Sequence, residues 1–311
     1  MTDEPLIFAR GLVKRFGDFT AVDGIDLEVG RGEAFGFLGP NGAGKSSTMR
    51  MIGCVSTPTA GELRILGMDP VRDGTKIRAR LGVCPQLDTL DLDLTVRDNL
   101  TTYARYFGIS RAESRRRADE LLRFVQLSDR ADHKVEPLSG GMKRRLTIAR
   151  ALVNDPDIVL LDEPTTGLDP QARHLVWERL FRLKQRGITL VLTTHYMDEA
   201  EQLCDRLVVM DGGKIIAEGS PRSLIERYVT AEVLELRFPD GLDSTAAYAA
   251  KLDGVGEHID PLPDRVLVYA DDGDAALAEV HRRGLTPSGV LIRRATLEDV
   301  FLRLTGRTLV D

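Results

Sequence analysis

The stretch "EAFGFLGPNGAGKSSTMRMIG", residues 33–53, decides how the chain is read. Its apolar start, EAFGFL, reads as a buried strand, and SSTMRMIG continues as a helix. Between them Gly39, Pro40, Asn41, Gly42, Ala43, Gly44, Lys45 and Ser46 fit the spacing G-x-x-x-x-G-K-[ST], with Ser47 supplying a further hydroxyl. Glycines let successive backbone N–H groups turn toward a phosphate, and the helix N-terminus adds a partial positive charge. Lys45 can reach the outer phosphates, and the Ser46 hydroxyl suits a magnesium ion. Strand, glycine loop and helix in this order are the context that such a motif requires.

Outward from that loop, LIFARGLVKRF, IDLEV and EAFGFL read as short strands before it, and GELRILG and LGVCPQ follow it. Residues 95–127 turn helical through TVRDNLTTYARYFG and SRAESRRRADELLRFVQ. Strands return with DIVLLDEP (157–164) and GITLVLTTH (187–195), joined by PQARHLVWERLFRLKQRG as a crossover helix. The expected fold is therefore α/β, with a helical insertion in a sheet-centred domain. DIVLLDEP ends in Asp162 and Glu163. A carboxylate beside phosphate oxygens suits Mg²⁺, which points to Asp162. Glu163, one residue further, is placed to polarise a water for in-line attack on a terminal phosphate.

With 42% hydrophobic and 29% charged residues among 311, the chain has the composition of a globular protein large enough for one large and one small domain. No apolar run approaches the roughly 18–20 residues that span a bilayer. The acidic start MTDEPLIFAR lacks a basic-then-apolar signal region, so a cytosolic protein is expected. Cys54, Cys84 and Cys204 have no paired spacing and read as core thiols. The net charge of −6 resides after residue 228, where 15 acidic residues face 9 basic ones. The remainder is balanced, which excludes the basic footprint of a nucleic-acid binder.

That charge step places a boundary near residue 228, giving domains 1–228 and 229–311, with the helical subdomain at about 87–138. The tail alternates AEVLELRF, STAAYAAKL, RVLVYA, AALAEVHRRG, GVLIRR and TLEDVFLRLTG as strand, helix, strand, helix, strand and helix. This order suggests a small α+β sandwich of ferredoxin-like type. His258 and His281 read as isolated, with no ligand constellation.

GPNGAGKSS, LSGGMKRR, LLDEPTTGLDP and TTHYMDEAE occur in the order and spacing of ATP-binding cassette (ABC) ATPases, and the resemblance covers roughly residues 5–228. It implies a P-loop ATPase domain with a mixed sheet core and a helical subdomain, using ATP and Mg²⁺. Phe16 resembles the aromatic residue that stacks on adenine, the alternative being a core phenylalanine on an edge strand. Gln86 resembles the glutamine that contacts Mg²⁺ and the attacking water, Asp169 the D-loop aspartate, and His195 the histidine that meets the γ-phosphate. Ser139, Gly140, Gly141 and Met142 resemble the signature that grips ATP held by a second copy, although the family's usual fifth residue is glutamine rather than methionine. Lys143, Arg144 and Arg145 are expected on a solvated face, with Leu146, Ala149 and Val153 packing inward.

The resemblance thus implies an ATP hydrolase working as a pair of copies with integral membrane permease subunits on separate chains, at the cytoplasmic face of the membrane. The stretches LSGGMKRRLTIARALVNDP, DPQARHLVWERL and ATLEDVFLRLTGR resemble the branch of daunorubicin-type drug-resistance and nodulation-factor export ATPases. Export of a hydrophobic or amphipathic compound, drug or lipid-like, is the expected work. Import is the alternative, because the cassette motifs carry no direction. A soluble ABC protein acting on DNA or ribosomes fits less well, since long coiled-coil insertions and zinc-ligand cysteine pairs are missing from the sequence. The tail is expected either to bind a regulatory ligand or to support pairing of copies.

Overall fold

A computed structural model describes residues 4–239 and 245–306, and the chain divides into two units, residues 1–220 and 221–311. The first unit opens with β1 (Ile7–Phe16), β2 (Phe19–Val29) and β3 (Ala34–Leu38), then α1 (Lys45–Ile52), β4 (Ala60–Ile65), α2 (Gly74–Arg78) and β5 (Leu81–Cys84). The helical insertion follows as α3 (Val96–Tyr106) and α4 (Arg111–Phe124), and α5 (Gly140–Ala151) leads back to the sheet. The unit closes with β6 (Ile158–Asp162), α6 (Pro170–Gln185), β7 (Thr189–Thr194), α7 (Met197–Leu203), β8 (Arg206–Asp211) and β9 (Lys214–Gly219).

These strands form two sheets. β2-β1-β4 is antiparallel, whereas β5-β6-β7-β3-β8 is parallel, with β9 added antiparallel to β8. β3 and β7 are buried along their whole length and β6 as far as Asp162, as the apolar runs AFGFL and IVLL and the β-branched-rich TLVLTT suit parallel strands covered on both faces. One core joins the two sheets and α1, with Ile7, Leu12, Phe35, Phe37, Met51 and Ile65 fully or almost fully buried. Side chains of that kind contribute about 1.5–3 kcal/mol each when withdrawn from water.

The register has the main consequence for function. Leu38 is level with Thr194, Asp162 with Thr193, and Cys84 with Leu161. Parallel strands point the same way, so the loops leaving β3, β5, β6 and β7 all emerge at one carboxyl edge. That edge is where open α/β sheets bind ligands.

The insertion has its own core, in which Val96, Leu100 and Ala104 of α3 and Ala118 and Leu122 of α4 meet Leu146 and Ala149 of α5, with Val153 beyond it. Thr95 and Ser110 cap α3 and α4 by accepting from the Asp98 and Glu113 amides. The three residues expected to pack inward, Leu146, Ala149 and Val153, are all buried, although Val153 lies beyond the end of α5.

The second unit contains α8 (Pro221–Tyr228), β10 (Glu232–Arg237), α9 (Thr245–Lys251), β11 (His258–Pro261), β12 (Val266–Ala270), α10 (Gly273–Arg282), β13 (Gly289–Arg294) and α11 (Leu297–Thr305). Ser244, the first residue of the stretch STAAYAAKL, lies outside the described residues. Its sheet, β11-β12-β10-β13, is antiparallel throughout, so β10 to β13 follow the β-α-β-β-α-β order of the ferredoxin-like pattern. Leu234, Leu236, Val266 and Val268 pack with Ala276 and Val280 of α10, while Val233, Leu267 and Tyr269 belong to the opposite face with Ile225 and Leu302. α8 packs against α11 within this unit, whereas the boundary drawn from charge comes eight residues later. β11 has no counterpart in the expected order. Its four residues, HIDP, include no apolar run, and Pro261 is accommodated because β11 is an edge strand.

Candidate functional site

The glycine loop connects β3 to α1 and is folded around Lys45. Gly42 and Gly44 have φ of +82° and +100°, values that L side chains rarely adopt. At Gly44 a Cβ would also lie 2.4 Å from the Ala21 carbonyl oxygen. The Lys45 ammonium donates to the carbonyls of Gly39 (2.5 Å) and Pro40 (2.9 Å) and is 5% exposed. Burial lowers its pKa, and the charges of Glu163 and Asp162 act in the opposite sense. Gly39, Ala43 and Gly44 are buried, Asn41 and Gly42 face outward, and Pro40, Ser46 and Ser47 are half-buried. Phe16 lies at the β1–β2 hairpin, 51% exposed, with the Lys14 ammonium 5.0 Å from its ring centre. It is therefore no core residue, and its ring is free to stack.

The β6 end supplies the carboxylates. Asp162 Oδ1 accepts from the hydroxyls of Ser46 (3.2 Å) and Thr193 (2.6 Å), joining β6, α1 and β7 at one point. A hydroxyl beside a carboxylate is the hard-oxygen pairing that suits magnesium. Among the described residues no group of three or more His, Cys, Asp or Glu is placed to hold a metal ion. The pairing fits an ion that shares its coordination with a nucleotide's phosphates.

Glu163 is the centre of the site. It is 8% exposed, and its φ of +46° is left-handed, a conformation that costs a non-glycine residue about 1–3 kcal/mol. The Glu163 amide donates to Thr193, at its hydroxyl (3.0 Å) and its carbonyl (3.1 Å). Its carboxylate Oε2 accepts from Gln86 Nε2 (2.9 Å) and from the Thr166 hydroxyl (3.1 Å). On the other side His195 Nδ1 stands 3.4 Å from Oε1, outside hydrogen-bond geometry, and this buried nitrogen has no other partner. The Tyr196 ring lies against the His195 ring, tilted by 41° with centroids 4.1 Å apart, and the Arg173 guanidinium lies 4.5 Å from the Tyr196 ring centre. Gln86, Glu163 and His195, 109 residues apart in sequence from first to last, thus meet around one carboxylate. A carboxylate fixed by two donors can take a proton from water, and the spare nitrogen of the histidine beside it can donate to a phosphate oxygen.

The signature lies at the head of α5. Ser139 is its N-cap and accepts from the Met142 amide, and Ser139 and Gly140 are exposed. Nothing lies within 4 Å of a Cβ built on Gly140, whereas one on Gly141 would be 2.8 Å from the Ala172 Cβ of α6. Gly141 is thus required by packing, and Gly140 leaves an open approach. Among the described residues no hydrogen bond or ion pair joins Ser139, Gly140 or Gly141 to the glycine loop. The half-buried Met142 packs against the insertion's apolar core, which accounts for a thioether at a position where a polar side chain would be wasted. Asp169 caps α6 by accepting from the Ala172 amide, with Pro170 at the first helical position.

Two expectations require correction. Arg144 is not on a solvated face: it is 4% exposed and points from α5 under Glu163. Lys143 and Arg145 are half-buried rather than exposed, and Arg145 bonds the Val125 carbonyl at the end of α4. In the second unit His258 is not isolated but pairs with Asp260 at 2.7 Å, in a cleft with Arg227, Glu257 and Arg303. Sequence reading also missed Thr193 and Thr166, which hold the two carboxylates. The threonine pairs beside both motifs, TTH and PTTG, were the available signal.

Comparison with known proteins agrees with this geometry. Residues 22–166 match the family described as ABC transporter, and residues 245–306 match the C-terminal domain of the nodulation factor export protein NodI. The chain is 49% identical over 298 residues to the Nod factor export ATP-binding protein I of Paraburkholderia xenovorans, covering 96% of each. It is 48% identical to the protein of that name from Burkholderia pseudomallei over the whole of both chains. Among solved structures, the dimeric post-hydrolysis ATP-binding cassette MJ0796 with ADP and Pi is 31% identical, with a TM-score of 0.63 over 69% of this chain and 98% of that one. The cbiO1 subunit of the Clostridium perfringens transporter complex cbiONQ is 29% identical, with a TM-score of 0.67 over 72% and 92%.

Proposed function

Because the chain belongs to the ABC transporter ATP-binding proteins and is an ATP hydrolase of that family, we propose that it energises export of an amphipathic, lipo-oligosaccharide-like compound. The cargo class follows the Nod factor export role named for its relatives, and no observation favours import. The hydrolytic part is carried by one observation, the convergence of Gln86, Glu163 and His195.

In this reading adenine stacks on Phe16, worth about 1–3 kcal/mol. The loop from Gly39 to Ser47 cradles the phosphates, with Lys45 turning its ammonium from the loop carbonyls to the β- and γ-phosphates. Ser46, Asp162 and Gln86 would hold Mg²⁺, which neutralises phosphate charge when bound. Glu163 takes the proton of the attacking water, Gln86 and Thr166 fix the carboxylate, and His195 bonds the γ-phosphate. The exposed Ser139 and Gly140, with Gly141 and Met142 forming the turn behind them, meet the nucleotide of a second copy. Asp169 lies on the same side, at the start of the helix that packs on Gly141.

No helix among the described residues is long and apolar enough to cross a membrane. As in the family, the cargo path is assigned in this reading to separate permease chains. A cleft of about 400 Å³ beside Ser46, Gln86 and Asp162 opens past the exposed Val55, Val83 and Leu87, the apolar surface proposed to receive a permease at the cytoplasmic face. The test is co-reconstitution with the permease in vesicles that expose this chain to added ATP, using a fluorescent acylated oligosaccharide as probe. ATP-dependent accumulation inside such vesicles, lost in Glu163→Gln, is expected. ATP-driven depletion of preloaded vesicles would reverse the direction, and no movement of the probe would refute the cargo class.

A further inference from the structure

The Arg144 guanidinium is spent entirely on backbone. Nε donates to the Pro164 carbonyl (2.7 Å), Nη1 to those of Pro85 (2.5 Å) and Gln86 (3.4 Å), and Nη2 to those of Asp162 (3.0 Å) and Glu163 (3.1 Å). The nearest carboxylate, Asp88, is 4.0 Å away. A buried cation normally takes a paired carboxylate; here five peptide dipoles from two segments replace it. The carbonyls of 162, 163 and 164 can converge on one side chain because Glu163 is left-handed, whereas an extended strand directs successive carbonyls to opposite sides. The strain at Glu163 and the burial of Arg144 are therefore two halves of one arrangement.

We propose that Arg144 is a positioning residue for hydrolysis. By holding the backbones at Gln86 and Glu163 in one planar fork, it keeps their side chains in contact at 2.9 Å and the Glu163 carboxylate aimed at the water. It sits on the same rigid helix as Ser139, five residues or about 7.5 Å along the axis. The head of α5 is thereby tied to the hydrolytic pair of its own chain. This inference rests on Glu163 being the group that activates water, and the experiment separates the two.

Steady-state ATPase, nucleotide affinity and thermal unfolding are measured for Arg144→Met, Arg144→Lys and Glu163→Gln. Met keeps much of the volume and leaves five carbonyls without their donor; Lys restores the charge but not the planar fork. Misplacement of reacting groups by about 1 Å costs on the order of 100-fold, so kcat of Arg144→Met is expected to fall by about that factor. ATP affinity is expected to stay within about threefold of native, the pattern of an interaction used only in the transition state. Arg144→Lys is expected to lie between. If Arg144→Met does not fold, the same split between kcat and affinity in Arg144→Lys supports the proposal. Native kcat in a folded variant, or equal loss of kcat and affinity, overturns it. Full turnover in Glu163→Gln refutes the assignment of the base itself; loss there with native kcat in Arg144→Met refutes only the role of Arg144.

Discussion

Replacing Glu199 by glutamine separates a buried carboxyl from the rest of the titration behind the active site. Glu199, on α7, is fully buried. Its Oε1 accepts from the Thr165 hydroxyl (2.8 Å), two residues beyond Glu163, and from the Trp177 indole (3.1 Å) on α6, while Oε2 has no partner in hydrogen-bond geometry. Burial raises the pKa above the usual carboxylate range, against the pull of the nearby Thr194, Thr165 and Trp177 donors, and the neighbouring Asp198 charge adds to the rise. The folded state therefore holds a proton that the unfolded chain releases. Stability is greatest below the unfolded pKa and falls as pH rises toward the folded one, by up to about 1.4 kcal/mol per pH unit.

Glutamine retains the acceptor and does not titrate. At low pH the variant should match the native protein within about 1 kcal/mol. Its relative stability should then climb with pH, by up to about 1.4 kcal/mol per unit inside that window. For a unit of this size each kcal/mol is roughly 2–4 °C in the apparent Tm. Thermal and urea unfolding of both proteins between about pH 5 and about pH 8 checks this, because every other titrating group is common and cancels in the difference. Parallel curves would show that the carboxyl does not hold a proton and would refute the burial argument.

Gly44→Ala should abolish measurable nucleotide binding, because its left-handed φ and a Cβ at 2.4 Å from a backbone oxygen together displace the loop. Titration with a fluorescent ATP analogue that finds less than a tenfold loss, about 1.4 kcal/mol, would contradict this account. Lys45→Ala and Ser139→Ala should each be inactive alone, yet equal mixing should restore about a quarter of native ATPase, since half of the pairs would hold one sound composite site. A mixture no more active than its components would place each site within a single chain.

The glycine loop was legible because its function is local. The φ values of Gly42 and Gly44 and the seat of Lys45 follow from eight consecutive letters, and those letters also imply a strand before and a helix after. The carboxyl-edge clustering was legible at one remove, since parallel strands oblige Gln86, Glu163 and His195 to emerge together. β11 was not legible, because four residues of mixed polarity at a sheet edge have no periodicity to read. Thr193 was quoted as part of a strand without its task, since a threonine in a strand becomes a ligand holder only when a neighbouring strand ends beside it.

On α5 the sequence and the tertiary structure divided the work. Helical spacing alone determined that Leu146 and Ala149 face inward, because 3.6 residues per turn fix which letters share a face. It could not determine what lies at the border of that face. Lys143, Arg144 and Arg145 are three adjacent basic letters with the same solvent preference, yet only Arg144 meets the turn where β6 ends and the segment that follows β5. Met142 likewise gained its reason from the insertion's core. Hydrophobic periodicity fixes the orientation of a helix about its axis, but the surroundings of a border residue depend on backbone that arrives from elsewhere in the chain. At Arg144 that backbone is five carbonyls from two distant segments, and their desolvation makes a buried arginine stable there.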